Sequence, residues 1–234
     1  MLFLINITLF MPKFYYFVLL GAPGSGKGTQ GEILAKHFNL LRISPGEILR
    51  KMIKENPNDD ISLEIESYTA NGNLVPIAII NKVLIRYIEL HKNDYNGILF
   101  DGYPRSLEQN DFLNSHIAPN GLDASIYLEI SLDQLLDRLL YRQVCEDCGS
   151  IFNAKHNKSA IDDKCDKCGS VLKKRNDDSS EIIAANRFKV FTEQSFPIIE
   201  KYKNENKLIT VKADKDIQSL SIELIDIFNK IINV

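Results

Sequence analysis

The sequence predicts an α/β fold, a doubly wound parallel sheet of about five strands with a phosphate-binding loop and two inserted flaps. Three observations predict it. Apolar strand patterns alternate with helical ones through most of the 234 residues. A glycine-rich loop, Gly21-Ala-Pro-Gly-Ser-Gly-Lys-Gly-Thr29, separates the first strand pattern from the first helix pattern. All four cysteines fall in one segment, as Cys145-x2-Cys148 and, after sixteen residues, Cys165-x2-Cys168.

Phe14–Leu20 is apolar, aromatic and β-branched and ends at a glycine, as a buried parallel strand does. Gly26–Phe38 then reads as a helix, with Ile33, Leu34, His37 and Phe38 at three- and four-residue spacing. Leu41–Ile43 is a short strand. Ser44–Val75 is polar and helical, with Asn56–Asp60 as a turn between two helices. Gly97–Phe100 is a further buried strand, ending at Asp101, and Ala124–Ile130 is another. The pair Ser131 and Gln134 forms a capping box that opens the next helix. Leu208–Val211 is the last strand. Ile217–Val234 is an amphipathic closing helix with Leu220, Leu224, Ile227, Phe228 and Ile231 inward.

Two segments break the alternation, which divides the chain into a core (11–43, 76–140 and 179–234), a flap at 44–75 and a cysteine-bearing lid at 141–178. Ligands of open parallel sheets bind at the carboxyl ends of the strands, where two such flaps would close over a nucleotide. The apolar run from Met1 to Leu20 is interrupted by Asn6, Pro12 and Lys13 and lacks a basic leader, which disfavours a signal peptide or membrane anchor. Residues 1–10 read as an extension before the domain, with Met11 a candidate start.

The loop matches G-x4-G-K as Gly21, Gly26 and Lys27. Glycines let backbone N–H groups turn inward around phosphates, and the following helix contributes partial positive charge. Lys27 adds a point charge for the β- and γ-phosphates. Gly28 intervenes before Thr29, where the common pattern has a hydroxyl residue directly after the lysine. The loop thus calls for a nucleoside triphosphate, held through Gly24, Ser25, Gly26, Lys27, Gly28 and Thr29.

In the cysteine segment each pair is followed by a glycine, Gly149 or Gly169, so that four thiolates can converge on one tetrahedral Zn²⁺. Two pairs at this spacing favour metal over two disulfides or a redox couple. No cysteine is left over, so the site reads as closed and structural; His156, between the pairs, reads as a surface residue. A net charge of −3 and a pI near 5.9 argue against a nucleic-acid surface, which usually needs a basic excess.

Gly21–Gln30 (GAPGSGKGTQ), Asp101–Gln109 (DGYPRSLEQ), Asp137–Arg142 (DRLLYR) and Arg175–Asp178 (RNDD) together resemble adenylate kinase, in the zinc-bearing long-lid variety of many bacteria. The resemblance covers nearly the whole chain. It implies the reaction ATP + AMP ⇌ 2 ADP with Mg²⁺, in a cytoplasmic monomer that partners nucleotides (ATP, AMP, ADP) and neither nucleic acid nor membrane. It also implies residue roles. Arg105 and Arg50 would bind the AMP phosphate, Arg138 and Arg142 bridge the ATP phosphates, and Arg175 and Arg187 complete the cage on lid closure. Asp101 would hold water on Mg²⁺. Gln109 would read the AMP adenine, in a pocket lined by Pro45, Asn73, Leu74, Val75, Gly102, Tyr103 and Pro104. Ile151, Phe152 and the Lys215 backbone would cover the ATP adenine, and Asp177 and Asp178 help hinge the lid.

The chain departs from the family pattern at three places. Ser44-Pro45-Gly46-Glu47 stands for Ser-Thr-Gly-Asp, which removes a threonine hydroxyl beside AMP. Asn73 replaces a common lysine, and the interval from Arg175 to Arg187 is one residue longer, near Ser179. The alternatives are another nucleoside monophosphate kinase, with GTP as donor or a pyrimidine acceptor, and a zinc-ribbon nucleic-acid-binding protein with a vestigial loop. The long lid opposes a pyrimidine enzyme, and the arginine set and acidic pI oppose the ribbon.

Overall fold

The computed structural model describes residues 13–70, 73–174 and 181–232. The expectations placed on residues 1–10, Met11, Arg175, Asp177, Asp178 and Ser179 lie outside the described residues. The chain runs β1 (Tyr15–Leu20), α1 (Lys27–Phe38), β2 (Leu41–Ile43), α2 (Pro45–Glu55), α3 (Asp60–Thr69), α4 (Ile77–His91), β3 (Gly97–Asp101) and α5 (Leu107–Phe112). It continues with β4 (Ala124–Glu129), α6 (Leu132–Leu140), β5 (Arg142–Cys145), β6 (Ile151–Asn153), β7 (Leu172–Lys174), α7 (Glu181–Val190), α8 (Phe196–Asn204), β8 (Leu208–Lys212) and α9 (Ile217–Ile232).

Five strands form one parallel sheet in the order β2-β3-β1-β4-β8. After β3 the chain crosses β1 and adds β4 and β8 on its other side, so the strand order reverses around β1 and a crevice opens there. Successive residues of β1 feed two cores. Val18 and Leu20 pack with Phe100, Leu84, Ile88, Ile198 and Tyr202 on one face. Phe17 and Leu19 pack with Leu34, Ile126, Leu220, Leu224 and Phe228 on the other. Burial on both faces explains why these strands read as continuous apolar runs instead of alternating ones.

Two elements differ in detail from the sequence expectation. On α1 the buried residues are Gln30, Gly31, Leu34 and Ala35, while His37 is exposed and its ring stands edge-on to Phe38 at 4.6 Å. A glycine at position 31 lets the helix approach the sheet there, which rotates the inward stripe away from His37. In the first flap, Asp59 caps α3 by accepting from the Ile61 N–H at 3.2 Å, so the helix begins inside the expected turn. Of the expected capping box the N-cap half forms, Ser131 Oγ accepting from the Gln134 N–H, while Gln134 Oε1 accepts from the same hydroxyl at 3.1 Å.

The cysteine segment folds as a three-stranded antiparallel sheet, β6-β5-β7, around a small core of Cys145, Phe152, Cys165 and Leu172. It touches both other parts of the chain. Lys54 near the end of α2 donates to the Glu146 carbonyl at 2.8 Å and pairs with Asp147 at 3.1 Å, and Lys167 pairs with Glu32 of α1. Such exposed pairs contribute little energy, about 0–1 kcal/mol each, but they record that lid, flap and loop helix are neighbours.

Gly97 opens β3 opposite Tyr15, and a β-carbon there would come 2.3 Å from the Tyr15 carbonyl oxygen. Gly97→Ala must therefore push β3 from β1. We expect destabilisation of at least about 1–3 kcal/mol, read as a lower urea midpoint with an unchanged slope.

Candidate active site

The phosphate loop follows β1 and leads into α1. Gly24 and Gly26 adopt φ of +89° and +98°, which side chains rarely permit, and the loop closes with Ser25 N–H donating to Ala22 O at 3.1 Å. Lys27 folds back over it, donating to Gly21 O at 2.6 Å and Ala22 O at 2.9 Å. The structure brings Lys27, Arg50, Asp101, Arg105, Arg138, Arg142 and Arg187 together around one cavity of about 730 Å³ at the carboxyl ends of β1 and β3.

The arginines arrive from different elements. Arg105 follows the cis Tyr103–Pro104 bond; its Nε donates to Gly102 O at 2.7 Å, and its N–H donates to Gln109 Oε1 at 2.7 Å. A β-carbon at Gly102 would lie 3.2 Å from Arg105 Nη2 and 3.5 Å from Lys27 Cε, so glycine is needed where these cations approach the strand end. A β-carbon at Gly46 would likewise stand close to Arg50 and Arg105, at 3.3 Å from Arg50 Nη1 and 3.8 Å from Arg105 Nη2. Arg138 of α6 donates from Nη2 to Ala213 O at 2.8 Å, and Arg187 comes from α7 despite the longer interval before it. Ile151, Phe152 and Lys215 line the same cavity, with Ile151 Cδ1 3.1 Å from where a Gly28 β-carbon would stand.

The expected acceptor pocket is only partly reproduced. Leu74, Gly102 and Pro104 line the cavity, whereas Asn73, Val75, Tyr103, Gln109 and Pro45 are not among its lining residues. Gln109 is buried, and its carbonyl oxygen is spent on the Arg105 backbone. Pro45 is buried as the first residue of α2, where its fixed φ suits a helix start, and Ser44 and Gly46 face the cavity around it. Arg175 lies outside the described residues.

Two residues escaped the sequence reading. His156, expected as a surface residue, is half-exposed but also lines the cavity and pairs with Asp137, which Lys155 holds at 2.6 Å. Arg42 pairs with both Asp101 and Glu47 at 2.6 Å. The available signal was a lone charge inside an otherwise apolar strand, because a buried charge requires partners.

Electrostatics follow from this crowding. Burial lowers the Lys27 ammonium to about 7; Asp101 opposes the fall, while Arg105, Arg187 and Arg142 add to it. Burial also lowers Arg138. The cavity is short of negative charge.

In the lid, Cys145 and Cys168 place their Sγ atoms 3.4 Å apart, as do Cys148 and Cys165, and all four lie within 4.8 Å of one another. Disulfide sulfurs stand about 2.05 Å apart, so these are free thiols. Tetrahedral zinc with bonds of about 2.3 Å needs sulfurs about 3.8 Å apart, which this set fits. Each pair sits on a turn closed by an N–H to the first cysteine's carbonyl, Gly149 at 2.9 Å and Gly169 at 2.8 Å. A hydrogen bond from Ser150 brings Cys148 down to about 6, whereas burial pushes Cys145 up to about 12. A thiolate at Cys145 therefore requires an adjacent cation.

A parallel sheet carrying a phosphate loop, with cations from five further segments aimed over that loop, is the apparatus of a nucleoside monophosphate kinase. Residues 19–207 match the family model described as adenylate kinase. The adenylate kinases of Thermoanaerobacter sp. (strain X514), Rickettsia bellii (strain RML369-C) and Thermosipho africanus (strain TCF52B) are 35%, 38% and 33% identical to the chain. The alignments cover 87%, 85% and 91% of this chain and 93%, 92% and 99% of theirs. The chain belongs to the adenylate kinase family and is a phosphotransferase, interconverting ATP + AMP and 2 ADP.

A phosphate beside Lys27 stabilises its protonated form and raises its pKa. Free enzyme at pH 8 holds this lysine mostly neutral, so nucleotide binding there should take up most of one proton; the uptake should fall to about half near pH 7 and vanish well below it. Calorimetry of ATP binding in buffers of different ionisation enthalpy measures it, and Lys27→Met should abolish it. The same variant should lose kcat by orders of magnitude, since charge in the transition state loses a fixed partner.

Proposed function

We propose that AMP is the preferred acceptor, and that the cavity cations divide the two nucleotides between them. The convergence of Lys27, Arg105, Arg138, Arg142 and Arg187 on one cavity carries this reading. Phosphoryl transfer depends on positioning and on stabilising charge spread over the moving group. Lys27 and the loop N–H groups hold the donor phosphates, and Arg138 and Arg142 bridge them. Arg50 and Arg105 hold the acceptor phosphate. Arg187, with Arg175 by family resemblance, spans the gap over which the phosphoryl group moves. Ile151 and Phe152 shield the donor side from water, and the Lys215 backbone faces the donor base.

Asp101 presents a carboxylate to the phosphate-loop side of the cavity, which suits the water shell of Mg²⁺. Mg²⁺ held there through water on Asp101 would supply charge neutralisation for the ATP phosphates. Zn²⁺ at Cys145, Cys148, Cys165 and Cys168 is structural, holding the two turns of the lid against each other. The segment 44–75 then serves as the acceptor flap and 141–178 as the lid, on a core of 11–43, 76–140 and 179–234. Free thiols arranged for metal and cytosolic nucleotide substrates support a cytoplasmic enzyme, which we take to act as a monomer. Among the described residues no helix is long and apolar enough to cross a membrane.

A coupled assay of ADP formation from ATP against AMP, GMP, CMP and UMP tests the acceptor. AMP should give the highest kcat/KM, and faster turnover of CMP or UMP would reject the assignment. Metal analysis of protein purified under reducing conditions should find one zinc per chain. Chelation should raise protease sensitivity in residues 141–174 before the core yields, because zinc binding contributes to the folded lid; a zinc-free protein with an equally resistant lid would rule this out.

A further inference from the structure

Beneath the cation cluster lies a charge that takes no part in holding phosphates. Arg42 stands in β2 between buried Leu41 and Ile43, and is not among the residues lining the cavity. Its guanidinium passes under the first turns of α1 and grips two carboxylates. Nε and Nη2 donate to Asp101 Oδ2 at 3.1 Å and 2.6 Å. Nη1 and Nη2 donate to Glu47 Oε2 and Oε1 at 3.1 Å and 2.6 Å. The Arg42 and Asp101 side chains are 17% and 6% exposed, so water screens their pairing weakly. Burial lowers the guanidinium pKa, but the two carboxylates outweigh it and hold the group well above its ordinary value.

The loop helix is shaped for this side chain. A β-carbon at Gly31 would come 3.1 Å from Arg42 Nε, and one at Gly28 3.5 Å from its Nη2. Glycine inside a helix weakens it, and Gly31 has no left-handed backbone to explain its presence. The space it leaves is taken by Arg42.

The two carboxylates do different work. Asp101 ends β3 and faces the phosphate loop, and both guanidinium bonds fall on Oδ2, leaving Oδ1 unengaged by Arg42. Glu47 sits in the first turn of α2, one turn before Arg50, so the two share a face of the helix and both line the cavity. Pinning Glu47 therefore sets the direction in which Arg50 points. We propose that Arg42 is a positioning residue that locks the Asp101 carboxylate and the start of α2 into one unit, coupling the acceptor flap to the donor side of the site. This rests on the donor-side role given to Asp101 above.

The test combines amide hydrogen exchange in residues 48–55 of the nucleotide-free protein with steady-state kinetics. Glu47→Gln, at a half-exposed position, keeps the fold and breaks only the flap end of the tie. Exchange should rise at least tenfold, and KM for AMP should rise several-fold more than kcat falls. Arg42→Lys keeps one charge but not the fork that spans two carboxylates, so α2 should loosen likewise. Arg42→Gln should loosen α2 and also lower kcat at saturating AMP, because Asp101 is no longer held. Wild-type exchange and KM in folded Glu47→Gln and Arg42→Lys proteins would overturn the tie, and this arm decides even if Arg42→Gln fails to fold. Loosened α2 with wild-type kcat in Arg42→Gln would overturn the coupling to Asp101. Asp101→Asn with wild-type kcat would instead overturn the role of Asp101 itself, while the exchange arm, run without nucleotide or magnesium, would still report on the tie.

Discussion

Everything in this structure answers to one constraint: several positive charges must be held close together before any anion arrives. Burial is the main cause of the Lys27 ammonium's fall to about 7, and repulsion from Arg105, Arg187 and Arg142 adds to it. A flexible surface would let these charges disperse. Here three of them are held by backbone carbonyls, Lys27 by Gly21 and Ala22, Arg105 by Gly102, and Arg138 by Ala213. The repulsion thus kept in the free enzyme is relieved when phosphates enter, so the site is complementary to concentrated negative charge.

The parallel sheet makes that arrangement possible. Its strands are buried on both faces, which leaves their carboxyl ends as the places where polar side chains can emerge from a rigid base. Reversal of strand order around β1 opens a crevice at the phosphate loop, and Asp101 and Gly102 arrive from the adjoining strand. Cations that the core cannot supply come from the segments that leave it. Arg50 rides on α2, Arg142 starts the lid sheet, and Arg187 follows the lid on α7.

Much of this was legible in the chain. The central strands β1, β3 and β4 were readable because burial on both faces demands near-unbroken apolar runs, and the phosphate loop because its glycines and lysine follow such a run. The cysteine pairs announced through their spacing a cluster of four thiols that could hold a metal ion. Other features were not legible. The inward stripe of α1 is turned by the packing at Gly31, which no helical periodicity encodes. Gln109, a plausible reader of a base, is buried and used to hold the Arg105 backbone. Arg42 finds its partners 59 and 5 residues away along the chain, a pairing that no local spacing encodes.

By itself, then, the sequence determined the fold class, the phosphate loop, the cysteine quartet and the family, because each is written in local pattern or in residues at short fixed spacing. Only the tertiary structure decided which cations share a cavity, which polar side chains are committed to the scaffold, and which carboxylates are neutralised from behind. The physical reason is range. Local spacing dictates backbone conformation and the burial of one face, but electrostatic partnership depends on distance in space, and packing of the sheet brings together groups that the chain keeps far apart.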